Sequence, residues 1–204
     1  LNDEWILEQL EKENGVYLID PRGVGETMSS HGDPDRYYDV YRQETGLTYT
    51  SFMLGKPLLG QRVYDVLRSL DAISAVCGAD CPEIHLLGQG RAALMVLFAG
   101  ALDERVASVT CERMLVSYES LVVNKYFSHH PTSLVPNVLL SFDLPLVAGL
   151  IAPRPLILDE TVDQMKTVLS VARVRETYRP AESIYRMQGN IRGLSIRSSK
   201  SIRF

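Results

Sequence analysis

Apolar and polar positions fall in blocks along this chain, and the spacing within each block predicts an element. From Leu1 to Asn14 the apolar residues Trp5, Ile6 and Leu10 make one stripe, predicting a helix capped by Asn2 or Asp3 and stopped at Gly15. Val16–Ile19 is a continuous apolar run, the mark of a buried parallel strand. Asp20–Thr27 reads as a glycine-bearing loop, and polar residues continue to Gly46. Lys56-Pro57 then opens a helix with Leu59, Val63, Val66, Leu67, Leu70 and Ile73 at helical spacing. Gly78–Pro82 breaks the pattern. Ile84–Leu87 is the next strand, Gly88-Gln89-Gly90 a sharp turn, Arg91–Leu102 a helix rich in small residues, and Val106–Thr110 a third strand. Pro155–Leu158 reads as a fourth strand. Thr161–Tyr178 reads as a helix with Val162, Met165, Val168, Leu169 and Ala172 inward, and Leu194–Phe204 as a last strand.

Strands alternating with amphipathic helices specify an α/β fold: a three-layer αβα sandwich with a mostly parallel sheet. The 204 residues suffice for one domain, with 113–150 as cap-like or connecting helices. A helix feeding a central strand at the very start suggests that further N-terminal strands of such a sheet lie upstream. A sheet without them presents an apolar edge through which copies could associate.

In an open α/β sheet the working site lies beyond the carboxyl ends of the strands. The turn Gly88-Gln89-Gly90-Arg91-Ala92 is one such place. Its frame matches the nucleophile elbow G-x-S-x-G, with Gly90 where serine belongs. The hydroxyl is missing, so nothing there can be activated as a nucleophile. The backbone amide of Arg91, at the helix start, still suits an anion or carbonyl oxygen. The same residues support a rival: Gly88, Gly90 and Ala93 as a dinucleotide-binding turn, with Glu112 at the end of the next strand on the ribose of NAD.

The order DPRGVGET, LGQRVYDVLRSLD, IHLLGQGRAA and LIAPRPLIL resembles the bacterial acetyl-xylan-esterase-like and dienelactone-hydrolase-like branch of the α/β-hydrolase superfamily, over roughly residues 4 to 188. The resemblance implies a serine esterase ancestry, no cofactor or metal, and a small-molecule or carbohydrate ester as the substrate of an active parent. It puts the catalytic acid at Asp163, with Asp159, Glu160 or, in some relatives, Glu112 as alternatives. It also implies a triad histidine after the last strand, yet no histidine follows His130. The chain as written is therefore expected to be inactive by the serine mechanism. A non-catalytic binding or structural domain is the remaining alternative.

Composition narrows the rest. Hydrophobic residues make up 46%, charged residues 23%, and the formal net charge is −4, so there is no nucleic-acid footprint. No apolar stretch is long enough to span a membrane, and no signal peptide opens the chain. Cys77, Cys81 and Cys111 are too few for a disulfide framework, although Cys77 and Cys81 could pair. His129 and His130 are expected on an exposed loop, His85 inside a strand's packing, and His31 at the surface. Arg22 and Glu26 are expected to brace the loop after the first strand. Asp65, Arg68 and Asp71 are expected as solvent-side charges of the second helix.

Overall fold

The computed structural model describes residues 7, 9–12, 15–28, 37–78 and 81–198. Most of the opening helix and His31 lie outside them. The described residues form a four-stranded parallel sheet flanked by helices. The strands, in spatial as in chain order, are β1 (Ile84–Gln89), β2 (Val106–Glu112), β3 (Leu156–Asp159) and β4 (Leu194–Arg197). The helices are α1 (Tyr37–Met53), α2 (Leu58–Cys77), α3 (Arg91–Leu102), α4 (Leu144–Gly149), α5 (Val171–Thr177) and α6 (Arg179–Met187), with single turns between. No helix of the described residues is long and apolar enough to cross a membrane.

The centre of the core is α3 against β1 and β2. Ala93, Leu97 and Ala99 are fully buried on α3, and Val106, Val109 and Cys111 on β2. The small residues foreseen for this helix serve close approach. A Cβ on Gly100 would meet Val109 Cγ2 at 2.3 Å. The amphipathic stripe of α2 is borne out, with Leu59, Val63, Val66 and Leu70 buried.

Four expectations are corrected. Val16–Ile19 forms no strand: the segment pairs with nothing in the described sheet, and Tyr17 and Leu18 are exposed. A strand exists only through a neighbour's backbone groups, and a sequence pattern cannot supply the neighbour. In consequence β1 is an edge strand of the described sheet, and the Gly88–Ala92 turn does not follow a central one. Second, the polar stretch before Gly46 is helical from Tyr37 on, the first part of α1, held by buried Thr48 and Ser51 and by an ion pair to α2; residues 29–36 lie outside the described residues. Third, Thr161–Ser170 is a loop in which Val162 bridges both Leu115 and Val168, and the helix begins only at Val171, capped by Ser170. Met165 is exposed instead of inward. Fourth, the last strand ends at Arg197.

Arg154, the arginine of the LIAPRPLIL motif, ties α3 to β2. Its Nη1 donates to the carbonyls of Asp103 and Val106, both at 2.8 Å, and its Nη2 to that of Gly100 at 2.7 Å. Helix ends leave carbonyls without intrahelical partners, and this guanidinium satisfies them. Arg154→Met is expected to cost about 2 kcal/mol, since partly buried acceptors lose a charged donor. Urea denaturation measures it, and an unchanged midpoint would refute it.

Candidate functional site

The turn after β1 has the shape of a nucleophile elbow. Gly90 sits at φ 60° and ψ −114°, in the region that L side chains rarely adopt, and its amide donates to the carbonyl of Glu112 at 2.8 Å. That bond ties the turn to the end of β2. A Cβ on Gly90 would meet nothing within 4 Å, so a side chain there would stand free above the sheet. Gly88 differs: its Cβ would lie 2.5 Å from the carbonyl oxygen of Ala92. One glycine is demanded by backbone angle, the other by the contact of strand and helix. Arg91 is the first residue of α3, so its N–H has no intrahelical acceptor.

Above the turn lies a charged network that the sequence did not reveal. Glu44 of α1 accepts from Arg62 Nη1 at 2.8 Å and from Arg91 Nη1 at 2.6 Å. Arg62 is buried on α2, and its Nε donates to the carbonyl of Arg22 at 3.1 Å. Burial pushes the Glu44 carboxyl up, but the hydrogen bonds from the two guanidiniums outweigh it, and the net pKa is lowered. Arg91 Nη1 also reaches Thr132 Oγ1 at 3.3 Å. Thr132 N donates to His130 Nδ1 at 3.2 Å, which leaves His130 Nε2 to donate to Thr45 Oγ1 at 3.3 Å. Burial lowers the pKa of His130.

The acid positions are all engaged elsewhere. Asp163 is in a loop turn, not in the first turn of a helix. Its Oδ1 accepts from the amides of Met165 and Thr167 at 2.8 and 2.9 Å, and its carbonyl meets His129 Nε2 at 2.9 Å. His129 is thus buried under that loop, not exposed as expected. Asp159 pairs with Arg197 of β4 at 2.9 Å, and Glu160 with Arg113 at 2.9 Å. Glu112 lies nearest the turn. Its Oε1 accepts from Gln89 at 3.2 Å, and burial raises its pKa against that bond. Arg22 pairs not with Glu26 but with Asp65, through Nε at 2.8 Å and Nη2, and with Gln61 at 2.9 Å. Asp65 is therefore no free surface charge. His85 points outward with Nδ1 2.7 Å from Ser108 Oγ, since alternate residues of an edge strand face away from the core. Cys77 and Cys81 are free thiols.

A cleft of about 450 Å3 runs between residues 17–24 and the edge of β1 with the start of α3; Glu112 and Arg62 both line it. Of the residues the sequence assigned, Gly90, Arg91 and Glu112 meet at or beside this cleft. Asp163 is not among its lining residues. Glu44 escaped sequence reading because its role depends on α1 crossing the elbow.

No family model matches the chain. The chain is 23% identical over 175 residues to YtaP of Bacillus subtilis, a protein named as a hydrolase, covering 85% of this chain and 50% of that protein. It superposes with a TM-score of 0.66 and 19% identity on a protein named as an acetyl xylan esterase from Bacteroides fragilis, over 90% of this chain and 46% of that one. What is shared with that structure is the fold, a parallel sheet flanked by helices. The chain spans about half the length of these relatives.

Proposed function

We propose that this chain is an α/β-hydrolase-fold relative of carboxylic-ester hydrolases that keeps the backbone of the nucleophile elbow without its nucleophile, and does not cleave esters by the serine mechanism. The observation that carries this is Gly90: the strained elbow geometry and the open space above it are present, and the hydroxyl is not. The Arg91 amide is assigned as the surviving oxyanion donor. Asp163 stands at the acid position, but its carboxylate already serves two amides of its own turn. An ester, small or carbohydrate-borne, is the substrate class the relatives' names suggest for an active parent.

Assay with 4-nitrophenyl acetate is the test, on the chain as it is and on Gly90→Ser. Both should release nitrophenolate at the buffer rate. Serine needs a base, and the described His129 and His130 are engaged by Asp163 and by Thr45 and Thr132. The serine should fold, at about 1–3 kcal/mol for the positive φ. Ester turnover by the chain carrying Gly90 would sink the proposal, and an acyl group trapped on residue 90 of the variant would overturn the expectation that no base reaches the turn.

A second reading has one observation in its favour. Glu112 ends the strand directly beside β1, where a ribose-binding acid stands in a dinucleotide fold. Gln89 already occupies one of its oxygens. Nicotinamide cofactor retained through purification, seen at 340 nm after reduction, would favour this reading over the first.

Self-association through the open edge of β1 is proposed as well. Leu87 and the facing Leu18 are exposed beside unpaired backbone groups. Size-exclusion chromatography should show dimers or larger species that grow with concentration. A monomer across the whole range would count against it.

A further inference from the structure

Two cysteines away from the cleft stand at one corner of the fold. Cys77 is the last residue of α2, and Cys81 comes three positions before β1. Gly78 ends the helix at φ 66°, its N–H on the Ser74 carbonyl, so the chain turns just after Cys77. Arg105 fixes where the chain must return. Its Nη2 donates to Asp71 of α2 at 2.8 Å, and its Nη1 reaches Ser74 Oγ, about one turn before Cys77, at 3.4 Å. Arg105 adjoins Val106, and Val106 is the register partner of Ile84, the first residue of β1. The exit from α2 and the entry to β1 are thus held at the same arginine, with Cys77 and Cys81 between them.

The two thiols meet at this corner. Burial, a hydrogen bond with Cys77 and the charge of Cys77 push the Cys81 thiol up, and Arg105 opposes them. Both cysteines are free and half-buried, open to a small reagent. Cys111 is a built-in contrast. It is fully buried, its Sγ donates to the Ala93 carbonyl at 3.4 Å, and burial pushes its thiol up.

We propose that Cys77 and Cys81 form a reversible thiol–disulfide site, closed by a small-molecule disulfide and reopened by a thiol. One protein thiolate attacks the small disulfide, forming a mixed disulfide and releasing one small thiol. The second protein thiolate attacks the sulfur of the first cysteine, forming the Cys77–Cys81 bond and expelling the other small thiol. The two cysteines lose two electrons and two protons, and the small disulfide takes them up as two thiols. Tethering favours the second attack over a second adduct. The bond ties the end of α2 to the approach of β1, at the opposite end of that strand from Gly90. It therefore stands apart from the proposed loss of the nucleophile, and neither result bears on the other.

The test is incubation of the folded chain with oxidised glutathione at about pH 8.5, near the ordinary thiol pKa, followed by an acid quench and intact-mass measurement. The expected product is lighter than the parent by two hydrogens, carries no glutathione, and returns to the parent mass with dithiothreitol. Peptide mapping should place the bond between Cys77 and Cys81 and leave Cys111 as a free thiol. Cys77→Ser and Cys81→Ser should each stop at one glutathione adduct on the remaining partner. Two adducts on the parent chain would overturn the proposal, since the thiols would then point apart. So would a bond that includes Cys111, a disulfide-linked dimer as the main product, or a mass that does not change.

Discussion

Glu44→Leu is expected to lower the unfolding free energy by about 3–5 kcal/mol, because it strands Arg62 as a buried charge. Arg62 is 1% exposed and Glu44 is its only carboxylate partner in the described ion pairs. The loss should be visible in guanidinium or urea titration as a lower midpoint at neutral pH. Acid carries a second signature. The folded-state pKa of Glu44 lies below its ordinary value, since Arg91 and Arg62 together outweigh its burial. A carboxylate with a depressed folded pKa contributes stability that is fully present above its unfolded pKa and is lost as pH falls through the folded one. The parent chain should therefore lose stability from about pH 4.5 downward, and Glu44→Gln should lose less over the same range. Equal acid sensitivity in the two would show that the carboxylate is not stabilised as described.

Gly88→Ala should be at least as damaging, by about 3 kcal/mol or more, although it adds a single methyl group. The added carbon would lie 2.5 Å from the Ala92 oxygen, 2.6 Å from its carbonyl carbon and 2.8 Å from the Ala93 nitrogen. All three are backbone atoms of the first turn of α3, so relief requires the helix to lift from β1. That helix is the middle of the core, and its displacement opens contacts to Val106 and Val109 as well. Gly90→Ala is the control. It meets no atom within 4 Å and costs only what its positive φ demands, about 1–3 kcal/mol. Thermal melts of the two variants side by side should rank Gly88→Ala clearly lower. The reverse order would mean that the turn is held by its dihedral angles and not by the strand–helix contact.

The alternation of apolar runs with helical stripes by itself determined the α/β class, β1 to β3, the helices α2 and α3, and the tight turn between β1 and α3. These are local: the period of burial and the need for small residues at a close turn are written in neighbouring positions. The need for glycine at positions 88 and 90 was legible for the same reason. What the chain does with charge was not. Glu44 stood in a stretch without an apolar stripe, and only the crossing of α1 over α2 sets it between Arg62 and Arg91. Arg22 found Asp65, 43 residues away, instead of nearby Glu26. Asp163 turned from a helix start into a loop because Val162 bridged Leu115 and Val168. Val16–Ile19, the most strand-like run in the chain, stayed unpaired, because pairing depends on which backbone lies alongside, and hydrophobicity encodes only the wish to be buried. Local sequence specifies periodicity and turn chemistry. Ion pairs, strand partners and the shape of the cleft are decided by contacts between residues far apart in the chain, which only the folded structure brings together.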